Sequence, residues 1–185
     1  MAPKSDEASD HDTVRRVSTQ PPTQGDQRVD YQFETPTREQ IVAISAKHVS
    51  MMETSDSDET WIWVGMEHLL LHTVGRKSGN THKVALPFWR DAGGHRVVVA
   101  SFGGNPTDPA WFLNLSDTAA NPEVLVRVQG GLFWSTPEIL DGDDYDTVWS
   151  GIVADRPWYA DYVTKSGGRK IPLVRLPETR PATDN

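Results

Sequence analysis

The sequence predicts a mainly β domain, a compact β-barrel with flanking helices. From Trp61 onward, short segments rich in β-branched and aromatic residues alternate with Gly, Pro, Asn or Asp. Only a few stretches have helical spacing, and the chain contains no repeat. A chain of 185 residues is long enough for one domain with a sizeable core and too short for two ordinary ones.

The first two parts of the chain lie outside this β-rich region. Residues 1–29 are polar and punctuated by proline, so burial cannot offset the entropy of ordering them, and we expect a disordered tail. Residues 30–60 are predicted to form a helix and a linker, with Thr35 before Pro36, or Thr37 with Gln40, as the cap. The helix is expected to cover one side of the core, although gating a pocket or touching a membrane are alternatives. Its apolar stripe consists of Ile41, Ile44, Val49 and Met52.

Residues 61–178 form the predicted barrel, and residues 179–185 form a C-terminal tail. About six strands are expected, in the segments WIWVGMEHLLLHTVG, VALPFWR, HRVVVASF, VLVRVQGGLFWSTPEIL and KIPLVRL. Two further stretches have helical character, PAWFLNLSDTAANPE, which ends before a proline, and DDYDTVWSGIVADRPWYADYVTKS, which begins with aspartates that satisfy free N–H groups.

Composition excludes several classes of function. A formal net charge of −8 argues against non-specific binding to DNA, which needs a broad basic surface. Because the chain has no cysteine, disulfides, thiolate zinc sites and cysteine nucleophiles are excluded. No apolar stretch approaches the ~20 residues of a membrane span, and the N-terminus lacks the apolar core of a signal peptide. A cytoplasmic protein is therefore expected.

The common catalytic motifs are also missing. GRKSG lacks the glycine positions of a Walker A loop, and SFGGNP opens no Rossmann helix. The sequence around Ser101 is not the GxSxG of a nucleophile elbow. His68 and His72 stand four residues apart on a predicted strand without a third ligand nearby, so we interpret them as structural and expect no metal site.

One short turn concentrates positive charge in this acidic chain. Arg76, Lys77, His82 and Lys83 lie in LLLHTVGRKSGNTHKVALPFW, between two predicted strands. They could simply solvate the loop. However, glycines flank the cations, and Arg and Lys suit phosphate and carboxylate groups. The segment VVVASFGGNPTDPAW adds a second glycine turn and a tryptophan that could wall a flat ring. Together they indicate a site for a flavin-like cofactor.

The order of several segments resembles the deazaflavin-dependent nitroreductase family. LLLHTVGRKSG, VVVASFGG, DPAWFLNL, ANPEVLVRVQG and WYADYVTKSGGRKIPLVRL occur in that order between Leu69 and Leu176. The resemblance implies a split β-barrel of the FMN-binding type. It also implies an enzyme that uses coenzyme F-420, an 8-hydroxy-5-deazaflavin, to reduce a quinone, a nitroaromatic or an activated alkene.

The resemblance also implies roles for individual residues. The cofactor's phosphate- and carboxylate-bearing tail is expected to bind Arg76, Lys77 and Ser78, with His82 and Lys83 where the family usually has arginine. Its ring is expected to lie against the segments Ala85, Leu86, Pro87 and Ala100, Ser101, Gly103, Gly104, with Trp111 and Asn114 closing the site. Tyr159, Tyr162 or Ser101 would donate a proton to the acceptor or polarise its oxygen.

Two alternatives remain open at this stage. An enzyme could use FMN in the same architecture, leaving His82 and Lys83 idle. A split barrel could instead carry a cofactor or a lipid without turnover. In either case the partner is a small molecule and not a nucleic acid. A quinone acceptor would imply weak contact with the inner face of a membrane, and the oligomeric state is left open.

Overall fold

The computed structural model describes residues 27–29 and 34–183. Most of the predicted N-terminal tail therefore lies outside the described residues. Gln27 and Val29, near the end of this segment, are hydrogen-bonded to the folded domain. The side chain of Gln27 donates to the Arg90 carbonyl at 3.0 Å and accepts from the Arg90 N–H at 2.6 Å. The Val29 N–H donates to the Asp155 carbonyl at 3.0 Å.

Five α-helices and one 3-10 turn flank the sheet in the described part of the chain. The helices are α1 (Arg38–Thr54), α2 (Asp58–Trp61), α3 (Ala110–Leu115), α4 (Gly142–Asp155) and α5 (Trp158–Lys165), and the 3-10 turn is Phe102–Gly104. None of the helices among these residues combines the length and the hydrophobicity needed to cross a bilayer.

The helix boundaries follow local chemistry. Thr37 and Gln40 form the predicted capping box of α1, in which the Thr37 N–H donates to Gln40 Oε1 at 2.8 Å. The long predicted C-terminal helix is instead two helices, α4 and α5. Arg156 between them has non-helical backbone (φ −138°, ψ 74°), because the residue before Pro157 is disfavoured in the helical region. Helix α3 is also shorter than predicted and ends at Leu115.

Nine strands form one antiparallel sheet within these residues. The strands are β1 (Ile62–Trp63), β2 (Met66–Val74), β3 (Thr81–Arg90), β4 (Arg96–Val99), β5 (Val124–Val128), β6 (Gly131–Ser135), β7 (Glu138–Ile139), β8 (Leu173–Leu176) and β9 (Arg180–Pro181). Their order across the sheet is β7-β8-β4-β3-β2-β5-β6-β9, and β1 pairs with β2. The three strands beyond the predicted six are two-residue pairings.

Side chains alternate between the two faces of the sheet, and each face has its own cluster. Phe88 and Val98 pack inside the curl, whereas Trp89 and Val97 pack outside against α4 and α5. The inner cluster takes side chains from β2, β3, β4, β5, β6 and β8, so the sheet wraps around it. The predicted fold class, mainly β with flanking helices, is confirmed.

Helix α1 packs on the outer face of β2 and β3. Met52 is fully buried there with Trp61, Leu70 and Ala85. Only the C-terminal half of the helix covers the core as predicted, because Ile44 in the first half is 36% exposed. That first half lies over a cavity.

Met52→Ala is expected to lower the free energy of unfolding by about 2–5 kcal/mol, since a large buried side chain would leave a void between α1 and the sheet. The neighbouring Met51→Ala is the control, because Met51 is 41% exposed, and it should change stability by less than about 0.5 kcal/mol. Urea unfolding followed by circular dichroism measures both. Equal losses would show that α1 is not anchored through Met52.

Candidate active site

A cavity of about 830 Å³ lies against β2 and β3 and is also lined by the first half of α1. Helices α3 and α5 and the turn after β4 complete its wall. Most of the residues selected from the sequence line it, namely Arg76, Lys77, Ser78, His82, Lys83, Ala85, Leu86, Pro87, Ser101, Gly103, Trp111, Asn114, Tyr159 and Tyr162. A volume of this size is typical of small-molecule and cofactor sites.

Ala100 and Gly104 do not line the cavity. Ala100 is fully buried in the inner cluster. Gly104 has a φ of +78°, and a Cβ there would lie 2.8 Å from Lys165 Cβ and 3.1 Å from the Tyr162 backbone. Both positions are thus explained by packing, Gly104 by the close approach of α5, and their role toward a cofactor stays a prediction.

The hairpin between β2 and β3 presents its cations at the cavity. Its turn is closed by the Gly75 N–H, which donates to the Asn80 carbonyl at 2.8 Å. Arg76 and Lys77 are exposed. Lys77 makes no hydrogen bond or ion pair with residues 27–29 or 34–183, so its charge is available to a ligand. A Cβ at position 75 would lie 2.6 Å from His82 Nε2 and from Ser78 Oγ, so a larger residue there would displace these two side chains.

Two asparagines fix Arg76 and the strand before it. Arg76 Nη1 donates to Asn114 Oδ1 at 3.0 Å. Asn121 accepts from the Val74 N–H at 2.7 Å, and its Nδ2 donates to the Val74 carbonyl at 3.0 Å and to the Asn114 carbonyl at 2.8 Å. Helix α3 and the hairpin are therefore one rigid unit. Asn114 was predicted from the sequence to close the site, whereas Asn121 was not predicted, although it stands before a proline and a strand.

The farther basic residues of the hairpin already have partners. Lys83 forms an ion pair with Glu53 of α1, and this contact holds the pKa of the Glu53 carboxyl below its usual range. His82 Nε2 lies 3.3 Å from Ser78 Oγ. A cofactor tail that binds Lys83, as predicted, would therefore compete with Glu53, whose ion pair with Lys83 connects α1 to β3.

Arg169 organises the turn after β4. Its Nη2 donates to the carbonyls of Ala100 (3.3 Å) and Ser101 (3.1 Å), and its Nε donates to the Asn105 carbonyl at 3.2 Å. Its Nη1 forms an ion pair with Asp108. Ser101 at the cavity wall is thus held by an arginine 68 residues away, which no local pattern in the sequence revealed.

Tyr159 and Tyr162 form a perpendicular aromatic pair, with ring centroids 5.7 Å apart. Both side chains are buried. Burial raises the pKa of Tyr159, although the neighbouring Arg156 opposes this. Burial raises the pKa of Tyr162 to about 12, while a hydrogen bond with Thr35 opposes it. Both phenols are therefore neutral near pH 7 and can donate a hydrogen bond to a molecule in the cavity.

Helix α1 contributes a wall that the sequence analysis did not assign to the site. Its lining residues include Ile41, Val42, Ile44, Ser45 and His48. His48 Nε2 lies 2.6 Å from the Thr60 carbonyl, and its ring is tilted by 57° to that of His68, with centroids 4.8 Å apart. Burial and the nearby His48 lower the pKa of His68 to about 3, so His68 is neutral. The predicted structural role of His68 fits these contacts. No cluster of three metal-ligating side chains occurs among the residues described.

Comparison with known proteins identifies relatives of most of the folded region. Residues 44–178 match the family model described as F420H(2)-dependent quinone reductase. The F420H(2)-dependent quinone reductase of Mycobacterium tuberculosis is 33% identical over 111 residues, which cover 58% of this chain and 71% of that protein. The solved F420-H2 dependent reductase FDR-A is 33% identical, with a TM-score of 0.51, and covers 60% of this chain and 93% of that one. A solved domain-swapped dimer is 28% identical, with a TM-score of 0.53, over 71% of this chain and 96% of that one.

Arg169→Ala is expected to loosen the turn at the cavity wall, because it removes three hydrogen bonds to carbonyls and one ion pair. Stability should fall on the order of 2 kcal/mol, and amides 100–108 should exchange faster with deuterium. Arg175→Ala is the control, because the Arg175 side chain is similarly buried (16% exposed, against 15% for Arg169) and pairs with Asp91, Glu138 and Asp144. It should leave exchange of amides 100–108 unchanged, and the same local loosening in both variants would contradict the assignment.

Proposed function

The chain belongs to the F420H(2)-dependent quinone reductase family, and we propose that the cavity under α1 is where it reduces a quinone. Membership makes the protein an oxidoreductase and coenzyme F-420 its cofactor. The proposal adds three points to family membership. It places the site in this cavity, gives roles to the residues that line it and names the class of acceptor.

One observation supports the site above all: a single cavity joins free cationic charge to buried neutral phenols. Strand β3 begins beside the hairpin turn that carries Arg76 and Lys77, and the Phe88 carbonyl farther along it bonds Arg156, the neighbour of Tyr159. Phe88 lies seven positions after Thr81 along the strand, so the two ends are roughly 23 Å apart. A deazaflavin cofactor is divided in the same way, with an anionic tail and a flat apolar ring.

The residues at the hairpin end fit the anionic tail. Arg76 offers a planar guanidinium that Asn114 already orients, and Lys77 offers a charge without a partner in the described chain. Ser78 adds a hydroxyl beside them. Lys83 and His82 lie farther along β3 and already contact Glu53 and Ser78, so we assign them a smaller share of tail binding.

The walls beyond the hairpin fit a flat ring. Trp111 from α3 and the strand residues Leu86 and Pro87 line the cavity with apolar surface. Ser101 contributes a polar edge that Arg169 holds in place. These side chains would orient the ring and exclude water, which are the main contributions a protein makes to cofactor chemistry.

When bound and reduced, coenzyme F-420 supplies a hydride. The chain's own part is to handle charge and protons on the acceptor. Tyr159 and Tyr162 reach the cavity as neutral phenols, so each Oη can donate a hydrogen bond to an acceptor oxygen and then a proton. Ser101 offers a weaker donor on the turn after β4. A quinone oxygen suits this arrangement, and a nitroaromatic or an activated alkene belongs in the same test panel.

Arg76→Ala combined with Lys77→Ala is expected to weaken binding of coenzyme F-420 by a few kcal/mol, because each charged contact with the tail contributes roughly 1.5–3 kcal/mol. Titration followed by fluorescence of the cofactor measures the affinity. Lys170→Ala combined with Arg180→Ala is the control, since it removes the same charge away from the cavity lining. FMN is the reference ligand, and its affinity should fall less because it lacks the polyanionic tail. Unchanged affinity for coenzyme F-420 would place the cofactor elsewhere.

Tyr159→Phe and Tyr162→Phe are each expected to leave cofactor affinity intact and to lower kcat for menadione by about tenfold or more, because a proton donor is lost. Oxidation of the reduced cofactor, followed optically, gives the rate. Tyr145→Phe is the matched control, since its hydroxyl binds the Ile171 carbonyl at 3.0 Å and does not line the cavity. Tight binding of the cofactor by the unmodified protein with no acceptor reduction across the panel would instead indicate a carrier.

A further inference from the structure

Arg156 is a buried cation beside the end of the cavity that Tyr159 lines. Only 3% of its surface is exposed. Its Nη2 donates to the Phe88 carbonyl at 2.7 Å. Its Nε and Nη1 atoms are buried and make no hydrogen bond of good geometry with the described part of the chain. A buried charge of this kind is costly unless something else in the site uses it.

The nearest acidic residue in sequence does not neutralise Arg156 directly. Asp155 accepts a hydrogen bond from Trp89 Nε1 at 2.8 Å, and no ion pair joins Asp155 to Arg156 in the described chain. The local fold explains this separation. Asp155 ends α4, whereas Arg156 has non-helical backbone before Pro157. The Asp155 carboxylate accepts from Trp89 and the Arg156 guanidinium donates to the Phe88 carbonyl.

Arg156 and Tyr159 are neighbours at the start of α5, where the Tyr159 N–H donates to the Arg156 carbonyl at 3.2 Å. The Arg156 guanidinium acts to lower the pKa of the Tyr159 phenol, against the effect of burial, and Tyr159 lines the cavity. We propose that Arg156 is a positioning residue that holds the Tyr159 hydroxyl toward the acceptor and stabilises negative charge on the acceptor oxygen through that hydroxyl. The inference rests on the proposed function and identifies the acceptors it favours. They are molecules, such as quinones and enones, whose reduction places negative charge on oxygen.

The step balances in atoms and charge. The acceptor gains a hydride, and with it two electrons, from the reduced cofactor, and its oxygen becomes an anion. The Tyr159 O–H bond breaks, its proton passes to that oxygen, and the resulting phenolate lies next to the Arg156 cation. Solvent then returns a proton to Tyr159 Oη. Without Arg156, the phenolate would form in a buried site with no opposite charge beside it.

Other charged and titratable groups face this pair from every neighbouring element. Glu67 and the neutral His68 lie on β2, Asp155 ends α4, Tyr162 lies on α5, and His48 approaches His68 from α1. Within this set, Arg156 is the basic group that lowers the pKa of Tyr159.

Ionisation of Tyr159 in the ligand-free protein tests the coupling independently of turnover. Replacing the tyrosines by 3-fluorotyrosine lowers the pKa of each phenol, so that it titrates at a pH at which the protein is still folded. The ¹⁹F NMR signal that is missing in Tyr159→Phe is assigned to Tyr159. In Arg156→Gln, the midpoint for Tyr159 should rise by about one pH unit or more, because an opposite charge is lost. Arg156→Lys, which keeps the charge, should move it less. Arg96→Gln is the control, because Arg96 is also partly buried with an unpaired Nε but does not act on Tyr159.

Turnover of menadione supplies the second measurement. Arg156→Gln should lower kcat at least tenfold while binding of coenzyme F-420 changes less than twofold, and Arg156→Lys should recover most of the rate. An unchanged midpoint for Tyr159, or an unchanged kcat, overturns the proposal. If the unmodified protein reduces no acceptor, the proposed function fails and the role toward an acceptor fails with it, while the midpoint for Tyr159 still reports the coupling. The two failures are therefore distinguishable.

Discussion

The pairing of β2 with β3 is the constraint on which the rest of the molecule depends. Seven residues of each strand are in register, from His68 opposite Pro87 to Val74 opposite Thr81. Because side chains alternate across a strand, this register places Leu69, Leu71 and Phe88 in the inner core and turns Leu70 and Ala85 toward α1. The same pair of strands therefore forms the wall of the barrel, the floor of the cavity and the support of the cationic turn. A shift of this register by one residue would exchange the inner and outer faces of the sheet.

Much of this could be predicted from the sequence because it depends on local patterns. Segments rich in β-branched and aromatic residues indicated the long strands, the turn residues indicated the hairpin, and Thr37 with Gln40 indicated the start of α1. The order of several short segments indicated the family and the cofactor, which the comparisons confirm. The errors were also local in origin. The helix that continued through Pro157 in the prediction ignored the bias of the preceding residue, and the two-residue strands have too little sequence to be recognised.

The remaining features of the site depend on contacts between distant parts of the chain. Arg169 reaches back to Ser101, Arg156 reaches back to Phe88, and Glu53 of α1 meets Lys83. An arginine in the sequence does not show whether it will solvate a surface or organise a turn, because that depends on which carbonyls the fold brings to it. The wall formed by α1 was missed for the same reason. Its stripe was interpreted as core, yet only the C-terminal half meets the sheet.

The two halves of α1 also differ in how far they are shared with relatives. The family model begins at residue 44, whereas the cavity wall already includes Glu34, Pro36, Ile41 and Val42. A Cβ at Gly103 would meet Ile41 Cδ1 at 2.7 Å, so this leading segment fits closely against the turn after β4. Under the proposed function, substitutions of a few residues at the start of this one helix would change which acceptors fit the cavity and leave the basic hairpin unchanged. Related enzymes would in this way come to differ in the acceptor they reduce while keeping the same cofactor.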